Sequence, residues 1–272
     1  MQPDKTLPLN VYIGWDGREA VGSDVAAHSI RKRAKSPISI SYLKHRELRK
    51  LGYFSRAWLI RGSDGDFQDL IDDMKFSTEF SHTRFLVPEL MRFNGWALFM
   101  DADMIFLSDI SKLFALCDDR YAVMVVKHTH IPDKSIKMDG RENLKYPRKN
   151  WSSFVLWNCS HPANKEITKE RVNFMKGSEL HRFSWLKDEE IGSLPFSYNF
   201  ISGVTPKNWS VNTRAMPDVI HYTEGGPWFE ECQNVPYGGL WVQEYEDMQN
   251  NGDKVITDIP TMAYEKEEII RK

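Results

Sequence analysis

Apolar residues along this chain fall into short runs separated by polar turns, the signature of alternating strands and helices. Leu9 to Trp15 reads as an opening strand, and after Asp16-Gly17-Arg18-Glu19 a helical stretch runs from Ala20 to Lys35. A second strand follows through Ile38, Ile40 and Tyr42, then a short helical piece from Arg46 to Lys50 closed by Gly52. Phe80, Val87, Leu90 and Met91 recur at helical intervals and predict a helix over Phe80 to Phe93. Beyond Gly95 the run starting at Trp96 is apolar and strand-length, and it ends in Asp101-Ala102-Asp103. A short helix around Ile110 to Leu116, strands at Tyr121 to Val126 and Ser153 to Trp157, a short strand at Val219 to Tyr222 and a helix over Leu240 to Gln249 complete the pattern. The alternation predicts an α/β fold.

A chain of 272 residues can bury one large core, so 1–272 is read as a single domain. Its hydrophobic content of 41% is ordinary, and a net charge of -2 gives no footprint for nucleic acid. No apolar run approaches the roughly 18 residues of a transmembrane span, and no N-terminal stretch suits a signal peptide. Cys117, Cys159 and Cys232 lack metal or disulfide spacing, which suits a reducing, cytoplasmic setting. Residues 127–150 are polar, rich in Lys and Arg, and too long for an ordinary connection, so they are expected to form an active-site loop. Residues 230–272 are read as a C-terminal extension.

Residues i and i+2 of a strand share a face, so Asp101 and Asp103 are expected to converge on one hard divalent cation, Mn2+ or Mg2+. The same pair also suits capping of the turn that follows. His221 precedes the loop Thr223-Glu224-Gly225-Gly226-Pro227-Trp228. An imidazole is a good manganese ligand, and adjacent glycines let backbone approach a diphosphate, although a lone histidine commonly satisfies local backbone groups instead.

Six segments, in order, resemble the nucleotide-sugar glycosyltransferases of the glycogenin and lipopolysaccharide galactosyltransferase type. They are Val11 to Asp16, Ser81 to Leu90, Leu98 to Asp103, Asn150 to Asn158, Trp185 to Glu189 and His221 to Trp228. The resemblance implies the A-type glycosyltransferase fold: a single Rossmann-like nucleotide-sugar-binding domain with a mixed, mostly parallel central sheet flanked by helices. It implies transfer of a hexose, glucose or galactose first, from a UDP-sugar donor to a saccharide, lipid-linked or protein hydroxyl acceptor, with retention. Asp101, Asp103 and His221 would hold Mn2+ or Mg2+. Gly14 and Asp16 would line the uridine site, and Ala102 would contact the ribose through its backbone. Arg84, Asn150, Ser152, Asp188 and Glu189 would surround the donor sugar, while Gly225 and Gly226 would approach the diphosphate.

This chain departs from that pattern twice. Relatives carry a lysine just before Pro-Trp where this chain has Gly226, and the substitutes expected from the sequence are Lys127, Lys137 and Lys149. Asp188-Glu189 stands where relatives show Asp-Gln, and in an inverting enzyme either residue would be the general base. Two other classes fit parts of the pattern: a nucleotide-sugar-binding protein without turnover, and a haloacid-dehalogenase-like phosphatase using the Asp-x-Asp pair.

Overall fold

The opening strand β1 (Leu9–Gly14) pairs in parallel with β2 (Ile38–Leu43) on one side and with β6 (Trp96–Met100) on the other. These come from a computed structural model that describes residues 7–61, 66–128, 148, 151–204, 216–251 and 269–270. Beyond β6 lie β9 (Phe154–Asn158), β8 (Val123–Val125) and β10 (Ile191–Ser193), completing a six-stranded sheet in the order β10-β8-β9-β6-β1-β2. Only β9 runs against the others, so the sheet is mixed and mostly parallel, as expected. Both faces are covered, which explains why the central strands read as continuous apolar runs. On β6, Ala97 and Phe99 join the core beneath one face with Trp157 and Phe85, whereas Leu98 and Met100 join the other with Val11, Ile13 and Ile30.

Between β1 and β2 runs α1 (Ala20–Arg33), the predicted helix ending two residues early, and α2 (His45–Lys50) follows β2. The expected helix over Phe80 to Phe93 is mostly absent. A 3-10 turn at Thr83–Leu86 leads into α3 (Val87–Leu90), and Arg92 and Phe93 then take left-handed φ of 51° and 53°. Pro88 offers no N–H to a preceding turn, so helix propagates only forward from it and the left-handed pair stops it within a turn.

Two smaller sheets were not foreseen. β3 (Trp58–Arg61), β4 (Asp66–Asp69) and β5 (Lys75–Phe76) form an antiparallel meander whose outer edge pairs with β13 (Ile269–Ile270). β7 (Met104–Phe106), β12 (Val219–His221) and β11 (Phe200–Ile201) form the other. Short helices α4 (Ser111–Phe114), α5 (Lys169–Phe174) and α6 (Gly177–His181) fill the connections. The last helix, α7 (Gly238–Asn250), packs Trp241 and Met248 with Val25 of α1, and Glu244 pairs with Arg33, so this part of the C-terminal extension belongs to the core. Among the described residues no helix is long and apolar enough to cross a membrane.

The meander is fastened by Arg56. Its guanidinium binds both carboxylate oxygens of Asp69 and donates to the carbonyls of Val172 (3.1 Å) and Met175 (2.6 Å) at the end of α5. Removing one partner of a buried pair leaves an uncompensated charge. Arg56→Met is therefore expected to destabilise the chain by roughly 3–5 kcal/mol, measured by urea unfolding; a change within experimental error would refute the fastening role.

Candidate active site

β6 ends at Met100, and the backbone turns through Asp101, Ala102 and Asp103 before β7 begins at Met104. The two aspartates therefore occupy a corner between sheets, and strand alternation is not what brings them together. Asp101 N–H donates to the Ser153 carbonyl at the head of β9 (2.9 Å), and the Asp103 carbonyl accepts from Tyr222 N–H (2.9 Å). Because β7 and β12 are antiparallel with Met104 opposite His221, the imidazole lands beside Asp103. The corner sits outside the carboxyl ends of β1 and β6, where α/β sheets place ligands.

Ligand atoms of Asp101, Asp103 and His221 all lie within 4.8 Å of one another. His221 Nε2 is 3.2 Å from Asp103 Oδ1, and Arg84 Nη1 is 2.8 Å from Asp101 Oδ1. Neither oxygen, though buried, receives an aligned hydrogen bond. Burial pushes the Asp101 carboxyl up; the Arg84 charge opposes the shift and Asp103 adds to it. For Asp103 burial is outweighed by His221, and the group is held below the usual carboxylate range. Burial disfavours a charged His221, but the facing Asp103 carboxylate prevails and its pKa rises. Two hard oxygens and an imidazole nitrogen, short of hydrogen bonds and gathered in one buried space, fit a divalent cation.

The cluster is held from behind by a residue the sequence reading missed. His221 Nδ1 is 2.9 Å from Asn199 Oδ1, and Asn199 Nδ2 donates to Ser153 Oγ (3.1 Å); the asparagine is fully buried. With the amide oriented by Ser153, His221 carries its proton on Nδ1 and presents Nε2 to the cluster, as metal-binding imidazoles do. Only the isolated Asn199 at the end of a 3-10 turn marks this role in the sequence, and that is no signal by itself. Glu19 was also missed. Burial, then Asp103, Asp16 and Asp101, raise its pKa well above normal, so it is a fourth acid of the same locale, at the start of α1.

The remaining candidates divide. Arg84 lies against Phe80 and Phe99 and donates to the Ser152 carbonyl (3.0 Å), while Ser152 Oγ bonds His181 Nδ1 (2.7 Å). Ala102 is fully buried, and its carbonyl backs onto Gly22 of α1, where a Cβ would stand 3.1 Å away. Gly14 faces the Phe80 ring so closely that a Cβ would lie 2.5 Å from it. Asp16 is fully buried with both oxygens engaged, by Arg18 N, Nε and Nη2 and by Glu79 N–H. In this arrangement its carboxylate shapes the β1 to α1 turn and holds the Arg18 guanidinium, which also donates to the Ser77 carbonyl.

Asp188 and Glu189 stay apart from the cluster. Asp188 is exposed and paired with Arg148 (2.6 Å), which holds its carboxyl below the usual range, and Glu189 is exposed. Lys127 donates to the Ile191 carbonyl (2.7 Å) and lies over Trp151. Asn150, Lys137, Lys149 and nearly all of the 127–150 loop lie outside the described residues.

The histidine loop explains its missing lysine. Gly225 has a φ of 108°, and a Cβ on Gly226 would fall 1.9 Å from the Trp228 ring, which itself packs on Trp241 of α7 (5.0 Å). No side chain fits at Gly226 while Trp228 holds that position.

This site on this sheet defines a glycosyltransferase of the A-type fold. The Glycosyl transferase family 8 model matches residues 64–232, and the chain belongs to that family. It is 42% identical over 250 residues to Protein CDI of Arabidopsis thaliana, covering 91% of this chain and 90% of that protein. Among solved structures it is similar to the bifunctional glycosyltransferase WbbM (TM-score 0.61, 17% identity, 90% of this chain and 50% of that one). It is also similar to GlyE of Streptococcus pneumoniae (TM-score 0.54, 15% identity, 90% and 63%) and to the galactosyltransferase LgtC bound to donor and acceptor sugar analogues (TM-score 0.51, 13% identity, 88% and 96%). The chain thus spans half of WbbM and under two thirds of GlyE. Family membership sets aside the phosphatase reading of the Asp-x-Asp pair.

Restoring the family lysine tests the loop geometry. Gly226→Lys is expected to lower stability by about 1–3 kcal/mol through forced displacement of Trp228, read as a lower melting temperature with altered tryptophan fluorescence. A variant as stable as the parent would show that the loop has room for the side chain.

Proposed function

We propose that the chain transfers a hexose, glucose or galactose, from a UDP-sugar to an acceptor hydroxyl, with retention and with dependence on Mn2+ or Mg2+. The observation that carries this reading is the convergence of Asp101, Asp103 and His221 beside Arg84 at the carboxyl end of the parallel strands. Those three residues would hold the cation, whose chemistry when bound is to stabilise the charge that builds on the diphosphate as the anomeric bond breaks. Arg84 adds a fixed positive charge at the same corner, and Asn199 keeps His221 in the tautomer that offers Nε2. Asp188 is exposed and made a weaker base by Arg148, which favours retention over inversion through a side-chain base. With Gly226 barred to any side chain, cationic help for the leaving group falls to Arg84 and the basic residues around Lys127. A cytoplasmic setting belongs to the same proposal and is supported by three cysteines without disulfide partners.

Asp103→Ala is expected to lower Mn2+-dependent release of UDP from a UDP-hexose by roughly 100-fold or more, with little change in melting temperature measured in chelator. Full turnover in that variant would sink the metal assignment. The lost lysine favours one rival, a protein that binds the nucleotide sugar without turnover; tight binding with no UDP release to any acceptor or to water would establish it.

Cation affinity carries a pH signature. Asp101 and His221, both with raised pKa, must lose protons before binding a metal, so binding releases protons. Mn2+ affinity, followed by electron paramagnetic resonance, is expected to strengthen as pH rises from about 6 to about 8. A flat profile across that interval would contradict the assigned ligands.

A further inference from the structure

The turn that follows β1 is gripped by residues 77–80. Glu79 N–H donates to Asp16 Oδ2 (3.0 Å), and the Ser77 carbonyl accepts from the Arg18 guanidinium. Phe80, next along, packs on Gly14, where a Cβ would stand 2.5 Å from its ring, and the same ring meets the Arg84 guanidinium at 5.2 Å. One short segment therefore touches both the end of β1 and the arginine that faces Asp101.

Glu79 brings a buried carboxyl group to this grip. The Gly17 N–H faces it, and its Oε2 is 3.6 Å from His45 Nε2 of α2, too far for a hydrogen bond. A buried carboxylate needs a counter-charge. The charged and titratable groups around it are Asp16 and Arg18 from the turn and His45 and Arg46 from α2, with Arg49 behind His45. Burial, with Arg49 and Arg46 nearby, holds His45 neutral, its pKa lowered to about 3. Arg18 is committed to Asp16 through Nε and Nη2, and Arg46 is exposed. Burial first, then the Asp16 charge, push the Glu79 carboxyl up to about 7, and Arg46, Arg18 and the Gly17 N–H only partly oppose them.

The two states of this carboxyl load the grip differently. Neutral, Glu79 lies against the Gly17 N–H at little cost, and the turn stays fastened through Asp16, Gly17 and Arg18. Ionised, it brings a second negative charge up to Asp16 inside the protein, and like charges this close are costly. The contacts that hold the turn are the ones that bear this repulsion.

We propose that Glu79 is a positioning residue for the nucleotide side of the site: neutral, it clasps the β1 to α1 turn to the segment leading into Arg84, and ionised, it loosens that clasp and weakens nucleotide binding. The nucleotide half of this inference rests on the glycosyl transfer proposed above. The clasp itself stands on the contacts between residues 16–18 and 77–79.

Glu79→Gln tests it on the full chain, because a neutral amide can still face Gly17 and the backbone bond to Asp16 is kept. A carboxyl whose pKa is raised on folding stabilises the fold fully below its ordinary value of 4.5, and that stability is lost as pH rises toward about 7. The melting temperature of the parent in chelator is therefore expected to fall relative to that of Glu79→Gln between about pH 5 and about pH 8. Calorimetry with UDP and excess Mn2+ reads the second half. Proton loss at Asp101 and His221 is common to both chains, so the ratio of their affinities isolates Glu79. The two should bind UDP alike near pH 6, and the parent should bind about fivefold more weakly than Glu79→Gln near pH 8. Glu79→Ala, without the Gly17 contact, should bind more weakly than both near pH 6. Parallel melting profiles, an affinity ratio that does not change with pH, or Glu79→Ala binding as tightly as the parent near pH 6 would each overturn the inference. If no chain binds UDP with Mn2+ at any pH while the melting profiles diverge, the proposed function fails together with the nucleotide role of Glu79, and the clasp alone stands.

Discussion

Everything at the site depends on one antiparallel pairing, that of β7 with β12. The chain leaves the main sheet at Met100, turns through Asp101 and Asp103, and is caught by a strand from more than a hundred residues later. The register that sets Met104 against His221 fixes the distance between an aspartate and a histidine that no local sequence rule connects. Asp101 is fixed by a different contact, its N–H on the carbonyl of Ser153, the residue just before β9. The cluster is thus assembled from the ends of three strands, and sliding any one would separate its ligands. A rigid scaffold of this kind limits reorganisation when charge develops, the condition under which electrostatic stabilisation works best.

The electrostatics follow from that geometry. Asp16, Glu19, Asp101 and Asp103 gather acidic groups within mutual influence, as the joint shift at Glu19 records. Like charges this close cannot all remain ionised without compensation. Arg18 binds Asp16, Arg84 faces Asp101, and His221 faces Asp103. Burial first, then the neighbouring Asp103, Asp16 and Asp101, raise the proton affinity of Glu19, and Arg18, whose guanidinium is on Asp16, only partly opposes them. The locale is one protonation or one cation short of balance, and a diphosphate could be accepted here only with added positive charge.

How much of this was legible in the sequence depends on whether the information was local. The strands β1, β2 and β6, with helix α1, follow from hydrophobic runs and turn residues, and they appear within a few residues of expectation. The helix over Phe80 to Phe93 failed because apolar spacing ignores Pro88 and cannot foresee a left-handed pair at Arg92 and Phe93. β3 to β5 were missed since their stability comes from long-range packing of Trp58, Phe67 and Phe76. Asp101, Asp103 and His221 do come together, but period-two alternation was invoked where a corner and a distant strand do the positioning. Asn199 was invisible for the same cause, since it matters only through His221 and Ser153, far along the chain.

The absent lysine can be traced to packing. Trp228 fills the space above Gly226 because Trp241 of α7 pins it from the other side, with Tyr245 stacked on Trp241 in turn. Glu244 on the same helix is clamped by Arg33 of α1, so α7 cannot easily yield. A helix at the far end of the chain therefore dictates the side chain allowed beside His221. Under that constraint the proposed reaction would have to rely, in place of a mobile cation on the loop, on charges held on the main scaffold. Arg84 is the one already in place, since Phe80 and Phe99 pack against its guanidinium and the Ser152 carbonyl orients it. In the proposed transfer a guanidinium fixed in this way would not follow a departing phosphate as a flexible lysine does, so it would contribute most before departure, while the donor is being positioned.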